Sequence, residues 1–233
     1  MTASAWSTTA TGSKLETASI RQYTWAVPAG TPVVGQSSAY DYGVVNRAVN
    51  SYGRSIDSTD PQHSMDNNGA TDLIALSFSQ ATALTSVSLG WTSGDADISV
   101  LRYTGTATTL AEALTGKTLS GLIASGWSLV GHYADLQSDT TAPIKTATIT
   151  GAGSSSWWIV SAYNSDYGVG STTNGGTTTA NPALTASNDY VKLLQVVGTP
   201  APTNKTPEPG SLALMGVAMV GFMASRRRKS QQA

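Results

Sequence analysis

Between residues 74 and 91 the chain alternates large apolar side chains with small or polar ones, and this two-residue period limits its fold more than any other feature. Ile74, Leu76 and Phe78 alternate with Ala75 and Ser77. Farther on, Val87, Leu89 and Trp91 fall on one face and Ser86, Ser88 and Gly90 on the other. Successive side chains of a strand point to opposite sides, so the pattern reads as two half-buried antiparallel strands. The turn Thr92-Ser93-Gly94-Asp95 then leads into residues 98–103. There Ile98 and Val100 share one face and Leu101 and Tyr103 the other, which predicts a strand covered on both sides.

Further strands are read at residues 19–27, 127–133, 144–149, 157–163 and 190–197, separated by clusters of Gly, Ser, Asn and Asp. Residues 108–124 depart from the period, and their Leu and Ala spacing predicts one or two short helical turns. Residues 46–72 and 170–188 read as long loops. Charged residues make up only 12% of the chain and Glu occurs only as Glu16, Glu112 and Glu208, which argues against a helical bundle. The expected fold is all-β: a single β-sandwich or jelly-roll-like domain with long loops over residues 1–198. A Pro/Thr spacer over residues 199–206, stiffened by Pro200 and Pro202, follows it.

The formal net charge of −1 conceals an asymmetry. Four of the thirteen basic residues are Arg226, Arg227, Arg228 and Lys229, so the remainder sets nine basic residues against fourteen acidic ones. A mildly acidic domain without a basic stripe has nothing to neutralise phosphates, which excludes nucleic acid as a partner. No cysteine is present, so disulfides and thiolate metal sites are excluded. The segment Met1-Thr2-Ala3-Ser4-Ala5-Trp6 lacks the basic and apolar regions of a secretory signal. Ala3-Ser4-Ala5 has the form of a cleavage site, and the expectation is that a signal peptide precedes this sequence.

Residues 211–225 carry no charge. Leu212, Leu214, Met215, Val217, Met219, Val220, Phe222 and Met223 are interleaved there with Ala and Gly. As a helix this run would span roughly 22 Å, short of a hydrocarbon core of about 30 Å, so it suits a temporary membrane anchor. Arg226, Arg227, Arg228 and Lys229 form a basic stop that would stay in the cytoplasm and leave the domain outside. Residues 230–233 are a short tail.

Pro207-Glu208-Pro209, the apolar run and the basic stop, in that order, resemble the PEP-CTERM sorting domain of Gram-negative bacteria. The resemblance implies recognition of Pro207, Glu208 and Pro209 by exosortase, a multi-pass membrane protease or transpeptidase. It further implies transient anchoring in the inner membrane, processing near the motif, and delivery to the cell surface or extracellular matrix. Exopolysaccharide is the implied surrounding, since exopolysaccharide machinery typically accompanies this family. The segments 66–72 and 90–105 also resemble a group of exosortase-dependent surface proteins, a likeness that spans residues 65–165 and brings no activity with it.

Catalytic signals are sparse. Neither His63 nor His132 sits in a hydrolase-type setting, and no nucleophile elbow, zinc-binding His pair or phosphate loop occurs. The expected function is therefore a non-enzymatic surface or matrix protein associated with exopolysaccharide or biofilm. The alternative is a lectin-like carbohydrate-binding module, and a secreted glycan hydrolase ranks behind it. Asp95 and Asp97, in a Gly-Asp-Ala-Asp turn, are weak candidates for calcium, and the loop holding Asp66, Asn67, Asn68 and Asp72 is equally rich in oxygen. Solvated turns are the plainer explanation for both. Trp91 and one of Trp157 and Trp158 should point inward. The other, with Tyr163 and Tyr167, is the expected surface patch for stacking on sugars.

Overall fold

The computed structural model describes residues 1–9, 13–26, 38–46, 63–136, 144–170, 172–174, 177–178, 184–185 and 189–202. Among the described residues twelve strands run in chain order. They are β1 (Thr2–Thr8), β2 (Leu15–Ala26), β3 (Ser38–Val45), β4 (Met65–Asp66), β5 (Asp72–Gly94) and β6 (Ile98–Tyr103), then β7 (Trp127–Ala134), β8 (Lys145–Thr148), β9 (Ser155–Ala162), β10 (Thr172–Asn174), β11 (Thr177–Thr178) and β12 (Asp189–Pro200). Helices α1 (Leu110–Leu114) and α2 (Leu119–Ala124) lie between β6 and β7, where helical spacing interrupts the strand pattern. The fold is all-β, as the alternation requires, and these elements belong to one compact unit, Met1–Ala201.

β5 organises the rest. The two antiparallel strands expected over residues 74–91 are instead one continuous strand of 23 residues. No Gly or Pro interrupts the chain between Phe78 and Leu84, so nothing there turns it back. Ser79 and Gln80 are exposed, and the ladder to β9 skips from Ser77 to Thr82, so the strand changes partners without reversing. Its first half pairs with β1 and β9, its second with β8 and β12. The pairings β5–β1–β2–β3–β12 return to β5 and close a ring, while β9, β6, β7, β10 and β11 extend as a wing. Closure leaves the strands of the ring itself without a free edge, which would otherwise invite association.

Two cores follow from this topology. Ile74, Leu76, Val100, Trp158 and Val160 join one cluster with Val87, Leu89, Val191 and Leu193. Leu73, Ala75, Leu101 and Ile159, the alternate residues of the same strands, join a second with Leu114, Leu119, Leu122 and Trp127. β6 is thus covered on both faces, as its sequence predicts. The helices that supply part of the second core are short, and side-chain caps hold their first turns: Thr109 Oγ1 accepts Glu112 N–H at 3.2 Å and Thr118 Oγ1 accepts Gly121 N–H at 3.0 Å. The Trp127 indole N–H donates to the Ala113 carbonyl at 3.1 Å and ties α1 to β7.

β1 has no counterpart among the expected strands. Residues 199 and 200, read from sequence as spacer, continue β12: Thr199 pairs with Ala83 and Pro200 with Thr82, and Ala201 N–H donates to the Ala81 carbonyl at 2.7 Å. No helix among the described residues is long and apolar enough to cross a membrane. The sorting segment 207–229, the remainder of the spacer from residue 203, and residues 47–62 of the expected long loop lie outside the described residues.

Candidate functional site

The structure brings together both oxygen-rich loops singled out in the sequence. β5 ends at Gly94, whose φ of 73° permits the turn, and Ala96 follows with φ of 62°, a left-handed conformation unusual for a residue with a Cβ. That geometry delivers Asp97 to the start of β6, beside Asp189 at the start of β12. Asp95, Asp97 and Asp189 each bring one carboxylate oxygen to within 4.8 Å of those of the other two. Asp97 and Asp189 are buried and Asp95 is half-buried. Asn67, from the other loop, donates through its carboxamide to Asp189 and to the Tyr163 carbonyl at 2.8 Å, and accepts Asp189 N–H at 3.0 Å.

Burial is the main reason that Asp97 and Asp189 are held far above the usual carboxylate range, each at about 7, and their neighbouring carboxylates push the same way. Donors oppose the shift. Asp97 Oδ1 accepts Asp135 N–H at 2.8 Å and Oδ2 accepts Thr185 N–H at 3.0 Å, while Asp189 Oδ1 accepts Asp97 N–H at 2.7 Å. Calcium would draw six to eight oxygens around itself, and three carboxylates supply a share of those. The buried oxygens already receive N–H donors, so the arrangement is satisfied as a polar knot that ties the starts of β6 and β12 to the loop before β5. Sequence reasoning picked Asp95 and Asp97 but missed Asp189, which stands 92 residues beyond Asp97 and is delivered by strand pairing alone.

A second pairing escaped sequence reasoning. Register between β6 and β7 sets Ser99 opposite His132, and Ser99 Oγ lies 2.9 Å from His132 Nδ1. His132 Nε2 is 3.0 Å from the Gly168 carbonyl, which can only accept, so Nε2 carries the proton and Ser99 donates to Nδ1. Burial lowers the His132 pKa, which favours this neutral form. Both side chains are sealed from solvent, and the third partner is a carbonyl rather than a carboxylate, so the pair lacks the orientation and access of a serine nucleophile.

The expected sugar-stacking patch does not form. Trp158 is fully buried, its indole N–H donating to the Thr82 and Ser155 carbonyls at 3.0 and 3.1 Å. Trp157 is half-buried and packs against the second core, with its ring 5.0 Å from that of Tyr103. Tyr163 stands edge-on to His132, and the Tyr167 hydroxyl donates to Ser161 Oγ at 2.9 Å from a fully enclosed position. Alternation mispredicted Trp157 because helices α1 and α2 cover the face it occupies. Trp91 is half-buried rather than inward, with Lys192 Nζ 4.6 Å from its ring centre and 4.0 Å from that of Tyr23.

The chain matches no curated protein sequence. Residues 205–229 match the family model of the PEP-CTERM protein-sorting motif, the segment in which Pro207, Glu208, Pro209, the uncharged run and the basic stop occur in order. The chain therefore carries a PEP-CTERM protein-sorting motif, the mark of a protein that is exported and sorted to the cell surface in an exosortase-dependent manner.

Proposed function

We propose that this chain is a non-enzymatic component of the exopolysaccharide layer, held briefly in the inner membrane by residues 211–225 and processed near Pro207, Glu208 and Pro209. The observation that carries this reading is the sorting motif at residues 205–229. An uncharged run of roughly 22 Å, shorter than a hydrocarbon core of about 30 Å, suits brief retention better than permanent anchoring. Arg226, Arg227, Arg228 and Lys229 set its orientation, with the β-domain outside. The domain supports a scaffold role through its closed ring of strands and two cores. The Ser–His pair lies sealed in the interior, and the aromatic side chains expected to stack on sugars are spent on packing.

The deciding experiment compares cells that make exopolysaccharide with isogenic cells that do not. Retention of the protein in the cell-associated matrix only in the first, with no new reducing ends when the purified protein meets the purified polymer, is the expected result. Equal retention in both strains would remove the matrix association, and new reducing ends would make the protein a hydrolase.

A further inference from the structure

The loop between β4 and β5 holds two adjacent asparagines, one buried and one at the surface, where the Asn68 carboxamide shares a side-chain hydrogen bond with Tyr190. Asn67 is buried, its carboxamide is engaged by Tyr163 and Asp189, and the residue after it carries a side chain. Asn68 is exposed and is followed by Gly69, also exposed, with φ of 86° and nothing within 4 Å of where a Cβ would stand. The Asn68 N–H is held by Asp66 Oδ1 at 2.9 Å, whereas among the described residues no hydrogen bond holds the Gly69 N–H. An electrophilic carboxamide thus stands next to an open, unengaged backbone amide on a residue with the widest conformational freedom.

We propose that Asn68 is a site of spontaneous modification, cyclising onto the Gly69 amide and opening to aspartate and isoaspartate. The deprotonated Gly69 nitrogen attacks Asn68 Cγ and forms the new N–C bond of a five-membered succinimide. The carboxamide C–N bond breaks, and its nitrogen leaves as ammonia after taking a proton from solvent. Water then adds to either ring carbonyl and the ring reopens, giving aspartate from one carbonyl and isoaspartate from the other, with no change of oxidation state. The same chemistry is closed to Asn67, whose amide nitrogen and oxygen are both committed and whose successor bears a Cβ.

The consequence reaches the polar knot. Isoaspartate lengthens the main chain by one methylene and adds a carboxylate beside Asp66, one residue from the Asn67 side chain that fixes the start of β12. Loss of ammonia makes the change one-way, so it marks the age of each molecule.

Full-length protein is incubated in mildly alkaline buffer, folded or unfolded in urea, then digested and mapped by mass spectrometry. The expected result for folded protein is the mass gain of amide-to-acid conversion at Asn68, resolved as separate aspartyl and isoaspartyl peptides, with Asn67 unchanged. Gly69→Ala loses both products. So does Asn68→Gln, which leaves Gly69 intact and guards against a folding defect in the first variant. A folded protein that keeps the Asn68 amide over an interval in which the unfolded protein converts, or conversion at Asn67 instead, would overturn the proposal.

Discussion

Among the described residues, most large apolar side chains of the first 201 residues join two cores, whereas the tail from Pro202 strings its apolar side chains along one short uncharged run ended by four cations. In the domain each apolar residue acts through the neighbours that topology gives it, and moving one by a single position would turn it to the other face. In the tail, order and composition carry the message: a proline on either side of Glu208, then oil, then charge. The two regions therefore answer different questions. One determines whether the protein folds, and the other determines where it goes.

The sharpest way to break that division is to exchange the regions. Residues 202–233 placed after an unrelated exported domain should bring complete surface sorting, and removal of residues 207–233 should abolish sorting while leaving the melting temperature of the β-domain unchanged. Cell fractionation and calorimetry check the two halves of this expectation. A loss of domain stability on removing the tail would show that the regions are not independent.

Within the domain the largest effect belongs to Trp158, fully buried and hydrogen-bonded to two carbonyls where β5 changes partners. Trp158→Ala should cost about 3–5 kcal/mol in denaturant unfolding, because it opens a cavity and strands those carbonyls.

The polar knot sharpens the comparison through pH. Asp97 and Asp189 titrate near 3.8 when unfolded and about 7 when folded, so the folded form binds protons more tightly. Their contribution to stability is complete below pH 3.8 and is lost as pH rises to about 7, with a slope of at most about 1.4 kcal/mol per pH unit for each proton. Asp95→Asn should move this loss to lower pH by removing a like charge. Thermal melts across that range measure both. A rise in melting temperature on adding calcium at alkaline pH, absent in Asp97→Asn, would make the knot a cation site instead.

The smallest effect is expected at a helix end. Thr118→Ala removes the acceptor for Gly121 N–H and should cost about 1 kcal/mol, loosening the cover of the second core without exposing the first.

What was legible in the sequence follows from how far each contact reaches along the chain. The two-sided burial of β6, the helical turns and the sorting motif are local patterns, and each can be read residue by residue. The continuity of β5 was hidden because two alternating runs joined by Ser79 and Gln80 look like two strands. Only the exchange of partners from β1 and β9 to β8 and β12 makes them one. β1 was missed because Thr2–Thr8 offers only Ala5 and Trp6 as buried apolar residues. Asp189 and the Ser99–His132 pair were invisible for a related reason: strand register brings them to their partners across long stretches of chain. Trp157 shows the remaining limit, since alternation assigns a side chain to a face but cannot say that helices will cover that face.

The central claim is that the tail is read by a sorting enzyme, and the most direct test is the C-terminal residue of the mature protein. Mass spectrometry of protein from exosortase-positive cells should find the chain ending close to Pro207, Glu208 and Pro209, with the apolar run and basic stop gone. Protein from cells lacking exosortase should retain both. An identical C-terminus in the two strains would contradict the account.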